Sequence, residues 1–216
     1  LIDFIINLLD RLFRIREPHK SFLVRALPAG LNASFCFGGM AFTAFLTSAF
    51  TGLLLSVYYV PSASEAYKSV LVLTDDVWGG WLVRSLHKWS ASVLIVLVVL
   101  HTLRVFVYRA YRPPRELNWI AGCLTLAFVM ASGFTGYLLP WDQKAYWATV
   151  VGTSMAGTVP VIGGFLIHLL RGGADVDGAT LIRFYSLHVM WLPFMMILVL
   201  WAHFHMVKRQ GISGGL

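Results

Sequence analysis

Five stretches of the chain lack any Asp, Glu, Lys or Arg: 26–64, 89–103, 117–141, 145–170 and 184–207. A membrane-crossing helix needs about 20 mostly apolar residues and extends past such a run into the charges that flank it. Four of the runs meet that requirement and predict spans at about Asn32–Tyr59, Gly79–Tyr108, Leu117–Leu139 and Leu181–Val207. The run at 145–170 carries Gly152, Gly157, Pro160, Gly163 and Gly164. Such breakers argue against a straight span, so it predicts one or two short helices between the third and fourth spans, at the membrane surface or dipping into the protein. At the start, Ile2, Ile5, Ile6, Leu9, Leu12 and Phe13 share a helical face, with Asp3, Asp10, Arg14 and Arg16 mostly off it. That pattern predicts an amphipathic surface helix within roughly the first thirty residues. The expected fold is therefore an all-α membrane protein: one domain over 1–216, built as a bundle of four transmembrane helices.

Composition agrees. The chain is 58% hydrophobic and 12% charged, with mean hydropathy +0.72, against roughly half and a quarter for a soluble domain. Leu1–Arg16 does not have the form of a cleavable signal peptide, because its basic residues follow the apolar ones. A net charge of +7 raises the question of a nucleic-acid partner, and its distribution answers it. With four alternating spans, the N-terminus, the second–third loop and the C-terminus share one side. They hold 11 basic and 4 acidic residues, while the opposite side holds 6 of each. The whole excess sits on the face expected to be the negative, cytoplasm-like side, so orientation explains it without nucleic acid. Cys36 and Cys123 lie in apolar segments outside any CxxC or CxxCH pattern and read, by themselves, as small buried hydrophobes.

The candidate chemistry lies in the second and fourth spans. His87 and His101 are 14 residues apart, and His188 and His203 are 15 apart. At about 100° and 1.5 Å per residue, the first pair falls about 40° short of four turns and the second about 60° beyond, each pair separated by about 21 Å. His205, 17 residues from His188, falls about 100° off that stripe. The two spans run in the same direction, so His87 faces His188 near the positive side and His101 faces His203 near the negative side. Two facing imidazoles can clamp a haem, and bis-His ligation leaves no open position, which suits electron transfer.

The first and third spans carry glycines with the same period: Gly38 and Gly52, Gly122 and Gly136. Small residues are also how membrane helices pack closely, but the repeated spacing matches a flat macrocycle at each level, with one glycine from each span at its edge. Arg84 and Lys88 near His87, Arg104 beyond His101, and Lys208 and Arg209 beyond His203 are candidate partners for haem propionates; snorkelling to headgroups is the alternative. Two other function classes stay open. One is a dihaem membrane anchor of a quinone-linked dehydrogenase or hydrogenase; the other is a proton channel or transporter with a histidine relay. His19, His168 and His205 receive no role.

The strings "WLVRSLHKWSAS", "LHTLRVF", "RPPRELNW", "GFTGYLLPWDQKAYWA", "VPVIGG", "LLRGG", "RFYSLHVMWLP" and "HFHMVKRQGISGGL" resemble the N-terminal four-helix part of the cytochrome b family of quinol:cytochrome c oxidoreductases, and its b6 branch in particular. The likeness runs from about Cys36 to the C-terminus, while the first thirty residues match poorly. The 15-residue spacing of His188 and His203, and Asp in Pro140-Trp141-Asp142-Gln143, favour the b6 branch.

The resemblance implies two b haems, one held by His87 and His188 and one by His101 and His203. It implies a third, c-type haem bound through a single thioether at Cys36, while Cys123 is packing. It implies quinol oxidation at the positive side, in a pocket near Tyr137, Trp141, Asp142 and Tyr146, with electrons passing through the b haems to the negative side and protons translocated. The implied partners are a subunit IV-like protein carrying the rest of cytochrome b, a Rieske iron–sulfur protein, a c-type cytochrome subunit, membrane lipid and a second copy in a homodimeric complex. The implied setting is a multi-pass position in a bacterial plasma membrane, with a thylakoid membrane as the other option and both termini on the negative side.

Overall fold

The computed structural model describes residues 32–211, which are helical throughout apart from connecting turns. The expected amphipathic helix at Leu1–Arg16, and His19, lie outside the described residues. A 3-10 turn at Ala33–Cys36, begun by Asn32 Oδ1 accepting from the Ser34 N–H at 3.0 Å, leads into α1 (Phe37–Ser56). Then come α2 (Ala66–Asp75), α3 (Gly80–Val107) and α4 (Glu116–Leu138). The glycine-broken run forms α5 (Gln143–Gly157) and α6 (Gly163–Arg171), two short helices as expected. The last helical run comprises α7 (Gly178–Ser186), a π-helical turn at Leu187–Trp191 and α8 (Leu192–Gln210). Four helical runs are long and apolar enough to cross a membrane: Ala33–Ser56, Gly80–Val107, Glu116–Leu138 and Gly178–Gln210. The hydrophobic runs did not single out α2, because its ten residues mix apolar side chains with Lys68, Thr74 and Asp75.

Local chemistry sets the element ends. Asp142 Oδ1 accepts from the Ala145 N–H at 2.8 Å and opens α5. Asp177 and Thr180 form a reciprocal capping box that opens α7. The π turn has its cause in Pro193, which has no N–H to give the Val189 carbonyl and whose ring crowds that carbonyl. The Leu192 N–H reaches back five residues to the Leu187 carbonyl instead, so the turn holds one extra residue.

The spans pack as two antiparallel pairs, α1 along α3 and α4 along α8, joined where α3 meets α4. The central core is a plug of Ala41, Ala44, Phe45, Leu94, Leu97, Val98, Val129 and Met196. Its position follows from the sequence period. Leu94 is seven residues from both His87 and His101, Phe45 seven from both Gly38 and Gly52, and Val129 seven from both Gly122 and Gly136. A step of seven turns a helix by nearly two full turns, so each midpoint side chain lies on the same stripe as the positions it separates. Outward faces carry Phe50, Leu53, Val96 and Trp201, all more than half exposed, as lipid contact demands.

The two ends of the bundle are tied differently. At one, Asn32 Nδ2 donates to Tyr108 Oη at 3.1 Å and Gln210 Nε2 to the Pro114 carbonyl at 2.9 Å, gathering the first span's start, the α3–α4 loop and the end of α8. At the other, Tyr59 Oη donates to the Leu139 carbonyl at 2.7 Å and its ring stacks on Tyr185; burial raises the Tyr59 phenol above its ordinary pKa. Beside it, Ala66, Leu138, Ala145, Leu181 and Phe184 form a second core. Buried Arg171 ties α6 to α5 by donating to Thr153 Oγ1, Ser154 Oγ and the Val150 carbonyl.

Phe184 is fully buried, so Phe184→Ala should destabilise the fold by about 3–5 kcal/mol, read as a lowered midpoint of thermal unfolding in detergent micelles.

Candidate functional site

All four histidines turn inward, and three of them hold the backbone of the neighbouring span. His87 Nδ1 lies 3.0 Å from the Ser48 carbonyl, His188 Nδ1 2.9 Å from that of Ser132, and His203 Nδ1 3.3 Å from that of Asn118. Each of these carbonyls belongs to the residue four before a glycine: Gly52, Gly136 and Gly122. Positions four apart share a helix face, and a carbonyl already bonded within its helix keeps a second lone pair for another donor.

The glycines explain how the rings get that close. A methyl at Gly52 would stand 3.1 Å from His87 Cε1, at Gly136 2.5 Å from His188 Cε1, at Gly38 3.0 Å from His101 Cε1 and at Gly122 3.6 Å from His203 Cε1. Each glycine thus backs one imidazole: α1 serves the histidines of α3, and α4 serves those of the fourth span. The sequence reading placed the glycines beside a macrocycle's edges; their direct neighbours are the imidazoles.

The fourth position breaks the pattern. The residue four before Gly38 is Ser34, which sits in the 3-10 turn and whose carbonyl takes the Phe37 N–H. His101 Nδ1 has no hydrogen-bond partner among the described residues.

One facing pair is in direct ring contact. The His87 and His188 ring centroids are 6.1 Å apart with the planes at 80°. Two in-line metal–nitrogen bonds of about 2.0 Å each, with the ring radius added at both ends, separate imidazole centres by about 6 Å. The centroid separation leaves room for a metal between these rings, and the backbone contacts of Nδ1 leave Nε2 as the nitrogen free to ligate. Among the described residues, no three His, Cys, Asp or Glu side chains cluster around a common point. Two axial imidazoles suit a metal that brings its other ligands with it, as haem does.

His101 and His203 line a cavity of about 280 Å³, walled by Phe45, Leu94, Val98 and Met196 on the plug side. Among its lining residues, Arg104 Nε and Nη2, Arg115 Nε and Asn118 Oδ1 are buried without hydrogen-bond partners among the described residues. The Arg104 guanidinium stacks on Phe35 at 3.6 Å. Cationic residues lining a cavity suit carboxylates such as haem propionates. Arg115 and Asn118 were not singled out by the sequence reading. Their signal was the position of Asn118, four residues before Gly122, and the basic "RPPR" stretch beside it.

The fourth span departs from a regular α-helix between its two histidines. A 15-residue spacing predicts about 60° of overshoot on a regular α-helix, but the π turn absorbs one residue. His188 and His203 thereby keep an offset like that of a 14-residue spacing, matching α3. His205 stacks on Trp201 and is exposed, outside this cavity.

The remaining candidates fall in several places. Arg84 is exposed and donates to Thr74 Oγ1 at 2.9 Å, and Lys88 lies over the Trp89 ring. Lys208 is half-buried and Arg209 exposed, both in the last turn of α8. Cys36 is exposed at the start of α1. Trp141 and Asp142 border an open recess with Tyr67, Gln143 and Lys144, and Tyr146 packs edge-on against Trp141. Tyr137 is exposed on α4 and does not border the recess. Tyr67 belongs to α2, the helix that the hydrophobic runs passed over.

The family model described as "Cytochrome b/b6/petB" matches residues 23–211. The chain belongs to the cytochrome b/b6 family. Cytochrome b6 of Cyanidium caldarium and that of Chlamydomonas reinhardtii are each 44% identical to it over 190 residues, 88% of this chain and 88% of theirs. Cytochrome b6 of Prochlorococcus marinus (strain NATL1A) is 44% identical over 88% of this chain and 87% of its own length. A solved chain of "Hyperthermophilic respiratory Complex III" superposes with a TM-score of 0.88 at 30% identity, covering 99% of this chain. The present chain spans 56% of that chain's length. As a family member it is an integral membrane b-type cytochrome, a haem-binding electron-transfer protein.

Gly136→Ala should displace the His188 ring and lower bound b haem, quantified by pyridine haemochrome spectra. Gly122→Ala, whose new methyl stays 3.6 Å from His203 Cε1, should retain the haem.

Proposed function

We propose that His87 with His188, and His101 with His203, each hold one b haem, and that the chain is the transmembrane electron-transfer subunit of a b6f/bc-type quinol oxidoreductase complex. The observation that carries this reading is the paired construction itself. Four imidazoles stand at two levels, each backed by a glycine of the adjacent span, and the measured pair is spaced for a metal between its rings. When bound, the haems supply reversible one-electron storage.

The chain's own residues do the rest. The Ser48, Ser132 and Asn118 carbonyls hold three Nδ1–H groups, which presents Nε2 as the ligand. Arg104 and Arg115 offer unpaired donors to acidic groups at the His101–His203 level, with Lys208 and Arg209 nearby and Arg84 serving the other level. The apolar plug keeps water and stray charge from between the two levels.

The exposed thiol of Cys36, two residues before the glycine that backs His101, suits covalent attachment of a c-type haem on the outer face of α1. The recess bordered by Trp141, Asp142 and Tyr67 is the proposed wall of the quinol pocket, with Tyr146 supporting Trp141 and Tyr137 on the adjoining face of α4. Asp142 also caps α5, so its carboxylate shapes the pocket even without touching substrate. The proposed partners are a subunit IV-like protein, a Rieske iron–sulfur protein and a c-type cytochrome, in a dimeric complex of a bacterial plasma membrane with both termini on the negative side. The glycine pairs favour this assignment over a dehydrogenase anchor; co-purification with a Rieske-type subunit supports it, and co-purification with a hydrogenase or formate dehydrogenase overturns it.

His87→Ala should remove one b haem from the purified complex by pyridine haemochrome, and retention of both would refute the pairing. Cys36→Ser should abolish haem staining on a denaturing gel, which detects covalent haem alone; a persisting stain would refute the thioether.

A further inference from the structure

The two histidine pairs share their glycines and their inward turn, but they differ in the hydroxyl beside the ring. Thr51 Oγ1 lies 3.1 Å from His87 Nδ1, and Thr135 Oγ1 3.4 Å from His188 Nδ1. Each threonine immediately precedes the glycine that backs the same ring, Gly52 or Gly136. Each hydroxyl directs its own proton to the carbonyl four residues back, Thr51 to Thr47 at 2.6 Å and Thr135 to Ala131 at 2.9 Å. Its oxygen is left to accept, so the imidazole Nδ1–H is the donor and is shared between a hydroxyl and a carbonyl.

At the other level the residues before the glycines are Phe37 and Ala121, which have no hydroxyl. There His203 Nδ1 has one carbonyl at 3.3 Å, and His101 Nδ1 has no partner among the described residues.

An acceptor on the remote N–H of a ligating imidazole raises the ring's basicity. A more basic ligand stabilises the oxidised metal, and hydrogen bonding around the ligands is one of the levers a protein has on haem potential. We propose that Thr51 and Thr135 are positioning residues that lower the potential of the iron held by the His87–His188 pair, by accepting from both ligand rings. This inference rests on the ligand assignment proposed above.

The test is a potentiometric titration of the b haems in the intact complex, followed by absorbance, for Thr51→Val, Thr135→Val and the double variant. Valine keeps the shape of threonine and removes the oxygen. Each variant should shift the haem of the His87–His188 pair toward its reduced form by about three- to tenfold in the reduction equilibrium, tenfold being about 59 mV for one electron. The other haem should be unchanged, and Thr51→Ser and Thr135→Ser should restore the parent value. If valine at either site disturbs haem loading, Thr51→Ala against Thr51→Ser gives the same comparison. Two b haems retained with unchanged potentials, or with both shifted equally, would overturn the inference while leaving the ligand assignment standing. Retention of both b haems in His87→Ala would overturn the ligand assignment itself.

Discussion

An imidazole at membrane depth has two polar nitrogens and no water to satisfy them. This chain carries four such rings, and most of its architecture follows from giving each one a place. In three of the four, Nδ1 goes to the backbone of the neighbouring span. A helix carbonyl keeps a second lone pair after its own helical bond, but a side chain on the adjacent turn normally covers it. Removing that side chain at Gly52 and Gly136 opens the carbonyls of Ser48 and Ser132 to the rings, while at Gly122 a methyl would still clear the His203 ring. Gly52 and Gly136 are therefore a condition of those hydrogen bonds as well as space for the imidazoles.

The same constraint sets the vertical order of the bundle. Two levels separated by 14 residues leave a midpoint at seven, and the midpoint residues Phe45, Leu94 and Val129 meet there in the central plug. Because a seven-residue step keeps nearly the same helix face, a single stripe on each span alternates site, plug and site. The fourth span has 15 residues between its histidines, and Pro193 supplies the correction by forcing a π turn. One proline thus brings an irregular spacing into register with its three neighbours, which is why His188 and His203 face α3 at both levels.

The two levels are not equivalent. At the His87–His188 level, hydroxyls of α1 and α4 supplement the carbonyls. At the His101–His203 level, α1 has barely begun. Its 3-10 start diverts the Ser34 carbonyl, the His101 ring loses that anchor, and the surroundings are cationic, with Arg104 and Arg115 among the residues lining the cavity. The asymmetry arises from helix register: one level meets α1 at its regular end and the other meets its frayed first turn. Electrostatics around the rings thereby differ in the sense that favours an electron at the cationic level.

The sequence by itself determined the class of fold, the number of spans and the histidine pairs. Hydrophobic length answers to bilayer thickness, and helical periodicity is a one-dimensional property that survives in the string. The matched glycine spacing was legible for the same reason. What tertiary structure decided was whom each residue serves. The glycines back imidazoles, Arg115 and Asn118 enter the His101–His203 cavity, and Tyr67 reaches the recess at Trp141 from a helix too polar to stand out. The π turn belongs there too, since a proline announces a disturbed helix but not how the backbone resolves it. Such pairings join residues 35 to 85 apart, Gly52 with His87 and Asn118 with His203 among them. No local periodicity encodes them; they exist only once the spans have packed.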